Sequence, residues 1–266
     1  MALGRLGIDG LRVLVTASTR GLGRGIAEVL LEEGALVTIN GSRLESVEAA
    51  RSSLSERFPG RVWGVAADLR RAGEAARLVD EAASLMGGLD ALVYVPPPPP
   101  AGRFAEVGEE EWRTWGEALS LAPVWAVRRS LRYLRGGRSG GIVFVTSVAV
   151  REPIPDIVLS NVFRISIHGL VRSLARELGP RGIRVNAVLP GYFLTDRVRG
   201  LAERRARETG RSVEEVLEEI ASSVPLQRIG DPKELGWVVA FLLSPLSGYV
   251  HGASIPVDGG RLYSVF

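Results

Sequence analysis

The 266-residue chain has no cysteine, which excludes disulfides, thiolate nucleophiles and cysteine-ligated metal. Histidine is almost as scarce. His168 and His251 are the only two, too few for a typical histidine-built centre, so no metal is expected. No continuous apolar run reaches the roughly 20 residues of a membrane-spanning helix. The opening Met1 to Arg5 has no charged-then-apolar signal pattern. The expectation is a cytoplasmic protein that does not engage a membrane. Lysine occurs only as Lys233, so arginine carries nearly all the positive charge. Those arginines alternate with glutamates, and the net charge is only +3, which describes a solvated, ion-paired surface with no nucleic-acid face. What the chain does have is apolar residues, 46% of the total, enough for a substantial core.

These apolar residues fall in short runs: Arg12 to Thr16, Leu36 to Asn40, Val62 to Ala66, Ala91 to Val95, Ile142 to Thr146 and Arg184 to Val188. Their length and β-branched character read as buried strands. Between them lie longer segments with helical spacing, the first from Gly21 to Glu33 and ending at Gly34. Alternating strands and helices with buried strands predict an α/β fold, a doubly wound parallel sheet of the Rossmann type with helices on both faces. One domain over 1–266 is expected. Pro96 to Pro100 is read as a rigid loop beyond the fourth strand, because the alternation resumes directly after it. The charged, helical stretch from about 194 to 228 reads as a lid-like insertion over the strand ends.

After the first strand comes a turn running from Thr16 through Ser18, Arg20, Gly21 and Leu22 to Gly23. Glycines there let backbone approach a pyrophosphate at a helix N-terminus. Asp68 and Leu69 follow the third strand, where a carboxylate can accept a hydrogen bond from adenine. Asn186, Pro190, Gly191 and Thr195 lie in or after the sixth strand. The second strand ends in Asn40, Gly41, Ser42 and Arg43, with no acidic residue to meet a ribose 2′-hydroxyl. Arg20, Ser42 and Arg43 suit a 2′-phosphate, so NADP(H) is expected over NAD(H). The alternative is that Arg20 and Arg43 are ordinary surface arginines.

With these motifs assembled, the chain resembles the short-chain dehydrogenase/reductase family over nearly its whole length. The family's T-G-x-x-x-G-x-G turn corresponds to Thr16 through Gly23, its I-R-V-N-x-x-x-P-G segment to Ile183 through Gly191, and its G-x-x-x-x-V-D-G-G to Gly252 through Gly260. The likeness is closest to 3-oxoacyl-carrier-protein-reductase-like members. It implies hydride transfer between a nicotinamide and a carbonyl or alcohol substrate, and a homo-oligomer, dimer or tetramer, formed through helices around 112–135 and 160–178. Arg138 and Arg181 fall where carrier-protein reductases present arginines, a coincidence that is cheap in so arginine-rich a chain.

The family's catalytic set is a serine, a tyrosine, a lysine and an asparagine. Ser147 matches the serine, but Ser160 stands at the tyrosine position, Arg164 at the lysine position and Ser120 at the asparagine position. Gly169, Leu170, Leu174, Ala175 and Glu177 hold the register. Ala17 also replaces the turn's first glycine. Ser160 and Arg164 share one helical face, so Arg164 can keep a positive charge beside Ser160 and the cofactor ribose. It cannot relay a proton, and a serine hydroxyl is a far weaker acid than a phenol. Tyr94, Tyr192 or water are the candidate proton donors, while His168 and His251 read as structural. Three readings stay open: a divergent NADP(H)-dependent oxidoreductase using Ser147, Ser160 and Arg164, a non-catalytic dinucleotide-binding sensor or scaffold, and a fold that has lost its cofactor.

Overall fold

The computed structural model describes residues 6–137 and 139–265. Met1 to Arg5 and Arg138 therefore lie outside the described residues. Seven parallel strands form one sheet in the order β3-β2-β1-β4-β5-β6-β7. They are β1 (Arg12–Val15), β2 (Leu36–Gly41), β3 (Val62–Ala66), β4 (Ala91–Tyr94), β5 (Gly141–Val145), β6 (Val185–Pro190) and β7 (Ser254–Val257). The order reverses between β1, which pairs Val13 with Val37 of β2, and β4, which pairs Ala91 with that same Val13. Such a reversal opens a crevice beyond the carboxyl ends of the strands.

Side chains alternate across the sheet, as strand geometry requires. Val13 and Val15 point into one apolar layer with Ile26, Leu30 and Val239, while Leu14 points into the other with Leu78, Leu92, Phe144 and Val171. The first layer lies under helices α1 (Gly21–Glu32), α2 (Leu44–Arg57) and, toward the C-terminus, α10 (Pro232–Leu243). The second lies under α3 (Glu74–Met86), α5 (Ala122–Ser130) and α7 (Ser166–Leu178). Two further helices, α8 (Asp196–Thr209) and α9 (Val213–Ser222), fill the segment between β6 and α10 and close a small core of their own around Val198, Ala202, Val216 and Ile220. Among the described residues, no helix is long and apolar enough to cross a membrane.

The helices expected around 112–135 and 160–178 are each broken. In the first, α4 (Glu109–Gly116) gives way to a π-turn over Glu117–Leu121 before α5 begins. Pro123 has no N–H to bond the carbonyl of Leu119, and the widened turn absorbs that missing link. In the second, α6 (Val158–Phe163) joins α7 through a tighter turn, where the Ile167 N–H donates to the Arg164 carbonyl at 3.2 Å.

Helices α1 and α10 approach through glycines. A Cβ on Gly25 would lie 2.6 Å from Pro232, and one on Gly236 would lie 2.8 Å from Val29. The start of α10 is held by a reciprocal cap. Asp231 accepts from the Lys233 N–H at 2.8 Å, and Glu234 accepts from the Asp231 N–H at 2.8 Å while pairing with Arg228. At its far end, the buried guanidinium of Arg184 donates to the carbonyls of Leu242 at 2.6 Å and Ser244 at 3.0 Å, satisfying groups that the helix leaves orphaned.

Two outcomes follow for stability. Gly236→Val is expected to lower unfolding free energy by about 1–3 kcal/mol in urea denaturation, since backbone must separate to admit the side chain. The bonds from Arg228 and the Asp231 N–H hold Glu234 down to about 2, against an ordinary 4.5. Its folded-state value is depressed, so its contribution is complete above pH 4.5 and is lost as pH falls toward 2. Melting followed across that window should show Glu234→Gln with a lower midpoint at neutral pH and a shallower acid decline than the parent chain.

Candidate functional site

At the switch between β1 and β4, the strand ends open into a cleft of about 820 Å³. Its first end is shaped by the turn between β1 and α1. Ala17 sits at φ +44°, a left-handed conformation that an alanine rarely adopts. Its N–H donates to Asn40 Oδ1 at 3.0 Å, and the Ser18 N–H donates to the Asn40 carbonyl at 2.7 Å. Gly21 follows at φ +57°. At Gly23 a Cβ would lie 2.4 Å from the Ala17 carbonyl oxygen, so only glycine lets the turn fold back on the helix. No side chain caps the N-terminus of α1 and no acidic residue occupies its first turn, which leaves its N–H groups open to an oxyanion.

Arg20, Gly21, Leu22, Gly23, Ser42, Arg43, Asp68, Leu69, Pro190, Gly191 and Thr195 all line this cleft, together with Ser147, Ser160 and Arg164. Thr16 and Ser18, expected among the cofactor-binding residues, do not line it. Both are fully buried. The Thr16 hydroxyl donates to the Val95 carbonyl at 2.7 Å, and that of Ser18 donates to the Val15 carbonyl at 2.6 Å, so both brace the turn from behind. Asp68, expected to meet adenine, lines the cleft beside Arg70. Its carboxylate accepts from Arg70 Nε at 2.9 Å and Nη2 at 2.8 Å, and these bonds hold its pKa below the usual range. Arg20 pairs with Asp196 across the cleft mouth at 3.6 Å.

The chemical end forms where β5 ends. Ser147 caps a 3₁₀ turn, its Oγ accepting from the Ala149 N–H at 3.1 Å. Ser160, buried on α6, accepts from Arg164 Nε at 2.9 Å, and Arg164 Nη1 donates to the Thr146 carbonyl at 2.9 Å. Each serine hydroxyl thus accepts one bond while its own proton stays available to donate. Burial, and then repulsion from Arg197, bring the Arg164 pKa down to about 9, so it still carries its charge at pH 7. Pro96 to Pro98, Trp115 and Ile157 supply apolar walls.

Neither candidate tyrosine lines the cleft. Tyr94 is buried in the sheet core, donating to the Ala118 carbonyl at 3.3 Å, and burial pushes its pKa far up. Tyr192 packs against the α8–α9 core with the Arg261 guanidinium 4.9 Å above its ring. His168 bridges Thr146 at 3.1 Å and Ser254 at 2.8 Å, and His251 links the Val185 N–H to the Ala175 carbonyl. Ser120 is bonded to the Phe163 carbonyl at 3.3 Å and to Ser166 at 3.0 Å. Arg181 is exposed, reaching the Leu131 carbonyl at 3.3 Å.

Among the cleft residues that went unread in the sequence are Arg70, and Arg197, whose Nη1 donates to the Pro99 carbonyl at 2.7 Å. Among so many arginines, no local pattern marks these two. Thr146 would have been recoverable, since it directly precedes Ser147 at the strand end.

Comparison with known proteins agrees with this geometry. A family model described as enoyl-(acyl carrier protein) reductase matches residues 16–261. Human dehydrogenase/reductase SDR family member 4 is 32% identical over 93% of this chain and 86% of its own length. The 3-oxoacyl-(acyl-carrier-protein) reductase of Aquifex aeolicus is 31% identical over 93% of this chain and 95% of its own. The crystal structure of L-sorbose reductase from Gluconobacter frateurii, complexed with NADPH and L-sorbose, superposes with a TM-score of 0.92 at 29% identity, covering 98% of this chain and 99% of that one. A strand order that reverses at β1 and β4, a glycine turn folded onto α1, and sequence likeness carried through β7 have one common source: this chain belongs to the short-chain dehydrogenase/reductase family.

Proposed function

We propose that the protein is an NADP(H)-dependent oxidoreductase that reduces a small carbonyl compound, or oxidises the corresponding alcohol, at a serine–arginine site. The observation that carries this reading is the convergence of Ser147, Ser160 and Arg164 on one cleft, with Arg164 bonded to Ser160 at 2.9 Å. The cleft fits a dinucleotide: Gly23 has no room for a Cβ, and the uncapped start of α1 offers N–H groups to a pyrophosphate. Arg164 stands where a ribose would be held, and Pro190, Gly191 and Thr195 line the nicotinamide end. When bound, the nicotinamide supplies or accepts the hydride. The substrate oxygen takes hydrogen bonds from the Ser147 and Ser160 hydroxyls. The Arg164 charge, one bond behind Ser160, stabilises the negative charge that grows on that oxygen. Neither hydroxyl is acidic enough to give up its proton, so the oxygen is protonated by water. NADP(H) is favoured over NAD(H) because Ser42 and Arg43, which follow the end of β2, line the cleft where an acidic residue would stand. The lid role of α8 and α9 and the oligomeric state remain part of the proposal. Leu121, Trp125, Val162 and Ile165 leave apolar surface open on the helices beside the site, as a subunit contact between copies requires.

A second reading has its own support. Among the described residues, no tyrosine or lysine lines the cleft, which suits a dinucleotide-binding sensor or scaffold without turnover.

Fluorescence titration should show NADPH binding at least about tenfold more tightly than NADH, a gap that Arg43→Ala narrows by removing a charge-assisted bond. Equal affinities would remove the case for NADP(H). With a carbonyl panel, turnover is expected to be slow and to fall roughly 10- to 100-fold in Ser147→Ala, with NADPH affinity unchanged. Binding with no turnover on any carbonyl would instead establish the sensor or scaffold.

A further inference from the structure

Two guanidinium groups share the chemical end of the cleft. Arg164 lies against the strand ends, and Arg197 reaches in from the first turn of α8. Among the described residues neither is paired with a carboxylate, although other arginines of this chain are paired repeatedly, among them Arg12, Arg24, Arg77 and Arg228. The acidic groups that do line the cleft are already engaged: Asp68 by Arg70, and Asp196 by Arg20. Apolar surface from Pro96 to Pro98, Trp115 and Ile157 borders the same space, which strengthens any charge interaction made there.

Each group also has donors to spare. Arg197 spends one N–H on the Pro99 carbonyl, a bond that fixes the guanidinium against the proline wall. Arg164 spends two, on Ser160 and Thr146. A guanidinium carries five N–H donors, so both can still take an oxyanion in a forked contact. Two like charges near each other without a counterion are unfavourable, and an arriving anion relieves that strain in the field.

We propose that the substrate carries an oxyanion, a carboxylate or a phosphate, which seats on Arg197 with Arg164 behind it and so places the carbonyl against Ser147 and Ser160. This rests on the reductase reading for the carbonyl, but the anion seat itself does not require turnover. It makes Arg197 a specificity-determining residue and the substrate an oxo acid or a carbonyl-bearing phosphate ester. In the reducing direction, hydride reaches the carbonyl carbon, a water proton reaches its oxygen, and the acidic group is unchanged.

The test is calorimetric titration of the full-length protein, saturated with NADP+ so that no reduction can occur, with pyruvate, acetoacetate, levulinate and dihydroxyacetone phosphate. Methyl esters of the three acids serve as neutral counterparts. At least one acidic compound is expected to bind tenfold or more tightly than its neutral counterpart, dihydroxyacetone being the counterpart of the phosphate. In Arg197→Met that preference is expected to fall at least tenfold. Arg199→Met, an exposed change two residues further along α8 and outside the cleft lining, keeps it. Which acid binds distinguishes carboxylate from phosphate. Equal binding of acidic and neutral compounds overturns the inference, as does an acid preference that survives in Arg197→Met. Should that variant not fold, the comparison in the unaltered protein decides alone. If NADP+ does not bind, the titration is run on the protein by itself. An acid preference there would keep the anion seat while the reductase reading fell.

Discussion

The side chain of Asn40, buried at the end of β2, ties three strand ends together. Its Oδ1 accepts from Ala17, while its Nδ2 donates to the carbonyls of Val65 and Ala67. Its backbone bonds Ser18 in both directions. An amide placed there without partners would be costly, and with all of them met it leaves the turn one conformation. Ala17 is held left-handed by this network, Gly23 is drawn against the Ala17 carbonyl, and the N-terminus of α1 is thereby aimed along the cleft. The positions of Arg20, Leu22 and Ser42 follow from that turn.

The chemical end depends on a different economy of bonds. Where a phenol would have reached into the cleft, Ser160 is short and buried, and Arg164 folds back to bond it and the Thr146 carbonyl. The exchange gives up an acid that could be tuned toward neutrality and keeps a fixed charge with two hydroxyl donors. On the reductase reading, such a site acts through orientation and stabilisation of the growing oxyanion.

The strands were readable because parallel buried strands write themselves as short runs of Val, Ile and Leu. All six expected strands are present, β3 with the expected bounds and the others with one or both ends shifted by a residue or two, and a seventh pairs β6 through Ser254–Val257. The glycine turn was readable because close backbone approach leaves few residue choices. Other features had no local signature. Nothing in the neighbours of Asn40 says that its amide spans three strands, and Thr16 and Ser18 look like ligands until their hydroxyls are seen to face inward. The helix breaks at Glu117–Leu121 and at Arg164 arise from hydrogen-bond bookkeeping that periodicity does not encode. Arg70 and Arg197 were hidden by abundance, since in a chain rich in arginine only tertiary placement separates a cleft residue from a surface one.

The proline loop beyond β4 has a consequence outside the folded state. Pro96 to Pro98 face the cleft and Pro99 receives Arg197, all in a run whose φ angles are fixed by covalent rings. The unfolded chain is therefore already restricted over this run, so ordering it loses less entropy than an ordinary loop of equal length. A wall made this way keeps its shape whether or not a ligand rests on it, so anything seated at that side must fit a surface that does not adapt.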